Sequence, residues 1–223
     1  MHFLRCVLAE WTLVRPRLSR TRFGVWLLLL GTALIWVGRR GADPIGVALQ
    51  AGALGAVLGA AFAAGSSADR AALAIALAHP TTPFAVATGR WLAALMPAAG
   101  LTIGCSIAVG WETSAALAGL AAAAAVAGCA LTAVLLGGNG AALVLFICMT
   151  IAGAVPPEAL VGVAHPGAVR LTVASALELG PALWRYREVA TGSAGAVLHA
   201  AAWAALGVVV ASGLVRRRAR RAP

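Results

Sequence analysis

Six runs of apolar residues leave this chain few ways to fold: Phe23–Gly38, Ile45–Gly65, Trp91–Gly110, Ala115–Leu136, Ala141–Val155 and Ala194–Val215. Most approach the roughly 20 residues that an α-helix needs to cross the hydrocarbon of a bilayer. A barrel strand would be about ten residues long and alternate in polarity, which these runs do not. Only 11% of the 223 residues are charged and 61% are apolar, whereas a soluble domain carries about 25% charged residues. The expected fold is an all-α integral membrane protein, with one transmembrane domain over residues 1–223 and six spans. The first and fifth runs are short and need flanking residues or local thinning to reach across.

Charge orients the spans. With both termini on the cytoplasmic side, the inner face holds twelve arginines against Glu10 and Asp69. The outer face holds Arg39, Arg40, Arg170, Arg185 and Arg187 against five acids, so the whole net charge of +10 lies inside. Basic residues are retained in short cytoplasmic loops, which favours this orientation. Arg39 and Arg40 argue locally against it and are outvoted. The tail Arg216–Arg221 reads as a topology anchor. As a binding element it suits anionic lipid headgroups rather than nucleic acid. No A-x-A-like cleavage site follows Gly38, so the first span is expected to remain uncleaved.

Ahead of the first span, Phe3, Val7, Trp11 and Val14 recur at helical spacing with Leu4 and Leu8 beside them, and Arg5, Glu10 and Thr12 lie elsewhere. This predicts an amphipathic helix in the headgroup layer over residues 1–22, stopped at Pro16. Gly55-xxx-Gly59 in the second run is read as intramolecular packing. Gly137–Gly140 reads as a short inner turn. Residues 156–191 contain a helix-like body around Ala168–Leu179 and the aromatic-basic "ALWRYREV", and predict short external or re-entrant helices. Residues 192–223 hold the last span and the tail.

Little here can carry catalysis. The four cysteines are scattered, without metal-ligand spacing. The chain has no lysine, so it has no phosphate-binding Walker A loop, and HExxH, GxSxG and GxGxxG are absent. No cofactor, no metal and no catalytic residue is expected in this chain. Ionisable residues within spans are functional candidates because their burial is costly. His199 qualifies, with Gln50 as a neutral polar companion, and a proton relay would need more partners than these. Arg170, Glu178 and Trp184 are candidates for an outer gate.

Between the second and third runs lies a polar insert, residues 66–90. Ser66-x-x-Asp69 has capping-box spacing, and Leu73 and Leu77 lie one turn apart in a helix too short to cross a membrane. Pro80 and Pro83 are expected to end that helix, leaving Arg90 and Trp91 at the water boundary.

The insert resembles the membrane subunit of type-2 ABC exporters. The matching positions are Asp69, Leu77, Pro80, Thr81, Thr82, Gly89 and Arg90, with Arg70, Leu73 and His79 in the same helix. The match departs at Ala71-Ala72 and at Pro83. The wider layout also fits that family: an N-terminal amphipathic helix, six spans and short outer helices before the last. The resemblance implies a permease in a bacterial cytoplasmic (inner) membrane, with a second permease copy or paralogue. Its insert would be the coupling helix for a separate ATPase subunit, which would bind ATP and Mg. A hydrophobic or lipid-like cargo suits spans lined with Ala, Gly, Val and Leu. The alternatives are a non-catalytic assembly or scaffold subunit of a larger complex, and a proton-coupled secondary transporter working through His199.

Overall fold

The fold rests on a computed structural model that describes residues 2–20, 23–41, 43–64, 81–110, 112–154, 181 and 183–220. The helices are α1 (His2–Arg20), α2 (Phe23–Arg39), α3 (Pro44–Ala64), α4 (Pro83–Val109), α5 (Thr113–Ala154), α6 (Leu183–Arg187) and α7 (Ala194–Arg220), with one 3₁₀ turn at Glu188–Thr191. No strand occurs among the described residues. Four helices are long and apolar enough to cross a membrane: α3, α4, α5 over Thr113–Met149 and α7 over Ala194–Arg218. The 17-residue α2 is apolar but shorter. The protein is thus helical and multi-pass.

Local chemistry sets the helix starts. Asp43 caps α3, its carboxylate accepting from the backbone N–H groups of Ile45 (3.3 Å) and Gly46 (3.0 Å). Ser193 accepts from Ala196 N at 3.3 Å and opens α7. Thr82 is the N-cap of α4 and accepts from Ala85 N at 3.2 Å, with Pro83 at the first helical position. Each side chain satisfies a donor that the first turn leaves unpaired. Proline at this position sacrifices no intrahelical bond. Pro83 therefore starts α4, eight residues before the predicted third span, and the helix that Pro80 and Pro83 are expected to end lies outside the described residues.

Pro16 also departs from expectation, because α1 runs through it to Arg20. Val14, just before it, is 1% exposed and packs with Ala63, Ala93 and Trp11. Tertiary contacts thus hold the turn at which the proline removes a backbone bond.

The predicted fourth and fifth runs form the single element α5, interrupted at Gly138. Its φ of 75° and ψ of −166° fall in a region open essentially to glycine alone. Leu145 beyond the break lines the same cavity as Cys129, Thr132 and Leu136 before it. In an unbroken rod Leu145 would lie about 24 Å from Cys129, so the two limbs fold back toward each other.

The core is built from alanine and glycine. Ala48, Ala53, Ala56, Ala60, Ala87, Ala94, Ala98, Ala122 and Ala130 are wholly buried. Lipid tails are as apolar as a leucine side chain, so close backbone approach must hold the bundle together. A Cβ added at Gly52 would stand 2.1 Å from the Gly119 carbonyl oxygen, and one at Gly59 would stand 2.6 Å from that of Ala94. Gly55 lies equally tight against Ala98, so the Gly55-xxx-Gly59 pair is an intramolecular α3–α4 seam. Gly128 and Gly207 make the same contact between α5 and α7. Leucine and other large apolar residues cover the outside, including Trp26, Leu28 and Leu29 on α2, Ile107 on α4 and Leu198 and Val209 on α7. Such a surface suits lipid rather than water.

Candidate functional site

The residues that leave the insert converge at one end of the bundle. Thr81 and Thr82 precede α4, and Gly89 and Arg90 lie two turns into it. Arg90 is not at a water boundary. Its Nε donates to Glu10 Oε1 at 2.8 Å, with the two side chains 3% and 7% exposed. Gly89 makes this approach possible, because a Cβ there would stand 2.7 Å from Cβ of Glu10 and 3.1 Å from the Val7 carbonyl oxygen. The Gly-Arg pair is thus a socket, with glycine giving α1 room and arginine supplying the ion partner.

The face of α1 is corrected accordingly. Val7, Glu10 and Val14 are buried, while Phe3, Leu4, Leu8 and Leu13 are exposed. The acid that sequence patterning set apart from the apolar face belongs to the packed one. Phe3 stacks on Phe84 with centroids 5.8 Å apart, and Phe23 meets Phe62 edge-on at 4.8 Å. These contacts fasten α1 to the start of α4 and α2 to the end of α3. Trp91 is half-buried, and its indole donates to the Ala124 carbonyl of α5 at 3.1 Å, away from the predicted boundary. The sequence signal for Glu10 was faint. It is the first acid in the chain, with none following until Asp43, and its partner is 80 positions away.

Asp69, Arg70, Leu73, Leu77, His79 and Pro80 lie outside the described residues, as do Arg170 and Glu178. Replacing Thr82 with Ala is expected to lower stability in detergent by about 1 kcal/mol through loss of the cap. Thermal unfolding of the two proteins side by side measures it.

The opposite end gathers Arg39, Arg40, Asp43 and Arg187, four of the charges that the sequence reading grouped on the outer side. Arg187 pairs with Asp43, joining α6 to the start of α3. Both groups are about half exposed, so the pair contributes little stability. Arg39 donates to the Ala108 carbonyl at 3.3 Å, near the end of α4, and the Arg40 guanidinium lies 4.1 Å over the Trp36 ring. Both arginines that strain the charge rule thus have local partners.

Beneath this end, α6 inserts Tyr186, which is fully buried. Its ring lies 5.9 Å from His199, which lies 6.5 Å from Trp203 one turn along α7. Burial pushes the Tyr186 phenol well above its ordinary value, so it remains neutral. Its hydroxyl and the indole N–H of Trp184 are buried without hydrogen-bond partners among the described residues. His199 therefore belongs to an aromatic cluster. Gln50 is half-buried on α3. Among the described residues no group of His, Cys, Asp and Glu could hold a metal ion.

Together these features describe a multi-pass helical membrane protein with its N-terminal helix α1 clamped onto α4 at one end and a buried aromatic cluster near the other. Comparison with protein-family models, with curated proteins and with solved structures gives no match.

Proposed function

We propose that this protein is the six-span permease subunit of an ATP-driven exporter in a bacterial cytoplasmic membrane, with both termini inside. It would be moved by a separate ATPase and paired with a second permease. The observation that carries this reading is the Glu10–Arg90 clamp. Arg90 closes the insert that resembles a coupling helix, and the clamp ties it to α1 and α4 as one mechanical unit. A push on the insert is therefore delivered to a membrane-crossing helix and an interfacial helix together, as a transporter driven from outside the membrane requires. The break at Gly138 supports counting α5 as two spans, and with α2 that makes six. The chain has no lysine and so no Walker A loop, which supports a reading in which a partner supplies the nucleotide chemistry. A hydrophobic or lipid-like cargo fits the apolar walls.

The test is purification of the full chain from its native membrane, followed by assay of ATP turnover. A co-purifying ATPase with a GxxxxGK[ST] loop is expected. Asp69→Ala should reduce its permease-stimulated turnover about tenfold, within the 1–3 kcal/mol usual for coupling between sites. A chain that purifies without an ATPase, or turnover indifferent to the variant, overturns the reading.

A further inference from the structure

A groove between α5 and α7 shares Trp203 with the aromatic cluster described above and otherwise lies apart from it. It encloses about 360 Å³ and is lined by Cys129, Thr132, Leu136, Leu145, Trp203 and Val210 among others, within the 300–1,000 Å³ of ligand pockets generally. The Thr132 hydroxyl on its wall is already spent, donating to the Gly207 carbonyl at 3.0 Å. Nothing in the lining invites a polar solute. Its rim, Leu136, Leu206 and Val210, is 67%, 48% and 42% exposed and continues the lipid-facing surface, so the groove opens sideways into the bilayer.

Charge lies along the same line. Trp203, Leu206, Gly207 and Val210 follow helical spacing, and that stripe continues through Gly213 and Leu214 to Arg217 and Arg218. Gly213 has open space beside it. Arg218 donates to the Leu135 carbonyl, so its guanidinium lies against α5 beside the groove-lining Leu136. Arg217 is exposed. Arg217 lies about 10 Å along the helix from Val210, with its cation at the end where a headgroup would sit.

We propose that this groove binds one anionic phospholipid, its acyl chain between α5 and α7 and its headgroup on Arg217 and Arg218. Apolar walls select a hydrocarbon chain, and the arginines select a negative headgroup. Each arginine near a membrane surface favours an anionic lipid about fivefold, at about 1 kcal/mol. The proposal does not depend on the export reading.

Trp203, inside the groove, is the reporter. The full chain and its Trp203→Phe variant are reconstituted in phosphatidylcholine vesicles containing acyl-brominated phosphatidylglycerol or, separately, acyl-brominated phosphatidylcholine. The difference in fluorescence isolates Trp203 from the other tryptophans. Its quenching should be about fivefold or more greater with the anionic lipid, and Arg217→Gln should bring the two lipids toward parity. Raised salt should do the same in the unmodified protein, because screening weakens the headgroup contact. This salt titration stands even where a variant folds poorly. Equal quenching by the two lipids means ordinary bulk lipid and overturns the proposal. Absence of quenching by either means that protein, such as a second copy of this chain, covers the groove, which also overturns it. A preference unaffected by both Arg217→Gln and salt removes the headgroup site.

Discussion

Replacing Glu10 with Ala is expected to destabilise the detergent-solubilised protein by about 3–5 kcal/mol, the usual consequence of breaking a buried ion pair by removing one member. The guanidinium of Arg90 is 3% exposed and faces α1 at the point where Gly89 brings the backbones together. With the carboxylate gone, the buried cation loses its 2.8 Å contact with α1. The loss should therefore exceed what the removed side-chain atoms alone would cost. Glu10→Leu combined with Arg90→Met supplies the control, since replacing both ions by apolar groups of similar size is often neutral or better. A double variant much more stable than either single one establishes the coupling. Single variants that unfold like the parent would show that the pair is solvated and that α1 is not clamped. The same experiment bears on function, because the clamp carries the proposed transmission from the insert into α4.

Gly52→Leu is expected to cost at least about 1–3 kcal/mol, the scale of overpacking in a close-packed interior. The first atom of any side chain at Gly52 would meet the Gly119 carbonyl oxygen at 2.1 Å. That oxygen belongs to backbone, so no rotamer change relieves the clash, and α3 and α5 must separate along their shared seam. Even Ala at this position should destabilise, although alanine is the better helix former by up to about 1 kcal/mol. Gly24 gives the opposite result. It lies in α2 with nothing within 4 Å of an added Cβ, so Gly24→Ala should stabilise by about 0.5–1 kcal/mol. Paired thermal unfolding of the two alanine variants checks the sign, and a stabilised Gly52→Ala would contradict the seam.

The spans were legible where hydropathy and end signals agreed. The predicted run Ile45–Gly65 matches α3 (Pro44–Ala64), whose start is marked by Asp43 and Pro44. Proline is a residue type with two meanings. Proline breaks an isolated helix, but Pro83 opens α4 behind its Thr82 cap, and Pro16 and Pro97 are carried inside helices that their neighbours hold. The glycine-rich turn at 137–140 was visible as glycine content, and its conformation at Gly138 confirms a break there. Of the candidate site, Gly89 and Arg90 were singled out, but not for what they do.

Sequence alone determined that the chain is helical and carries runs apolar enough to cross a bilayer. Those properties follow from residue-by-residue transfer costs, which sum along the chain without reference to contacts. Only the tertiary structure decided which apolar face points inward. In water the buried side of a helix is apolar and the free side polar, but in lipid both sides are apolar. The wholly buried Ala56 of α3 and the 71%-exposed Leu28 of α2 therefore look alike to any hydropathy count. The same limit hid the clamp: a lone glutamate among arginines names no partner. Arg90 became that partner because two helices far apart in sequence meet over a glycine.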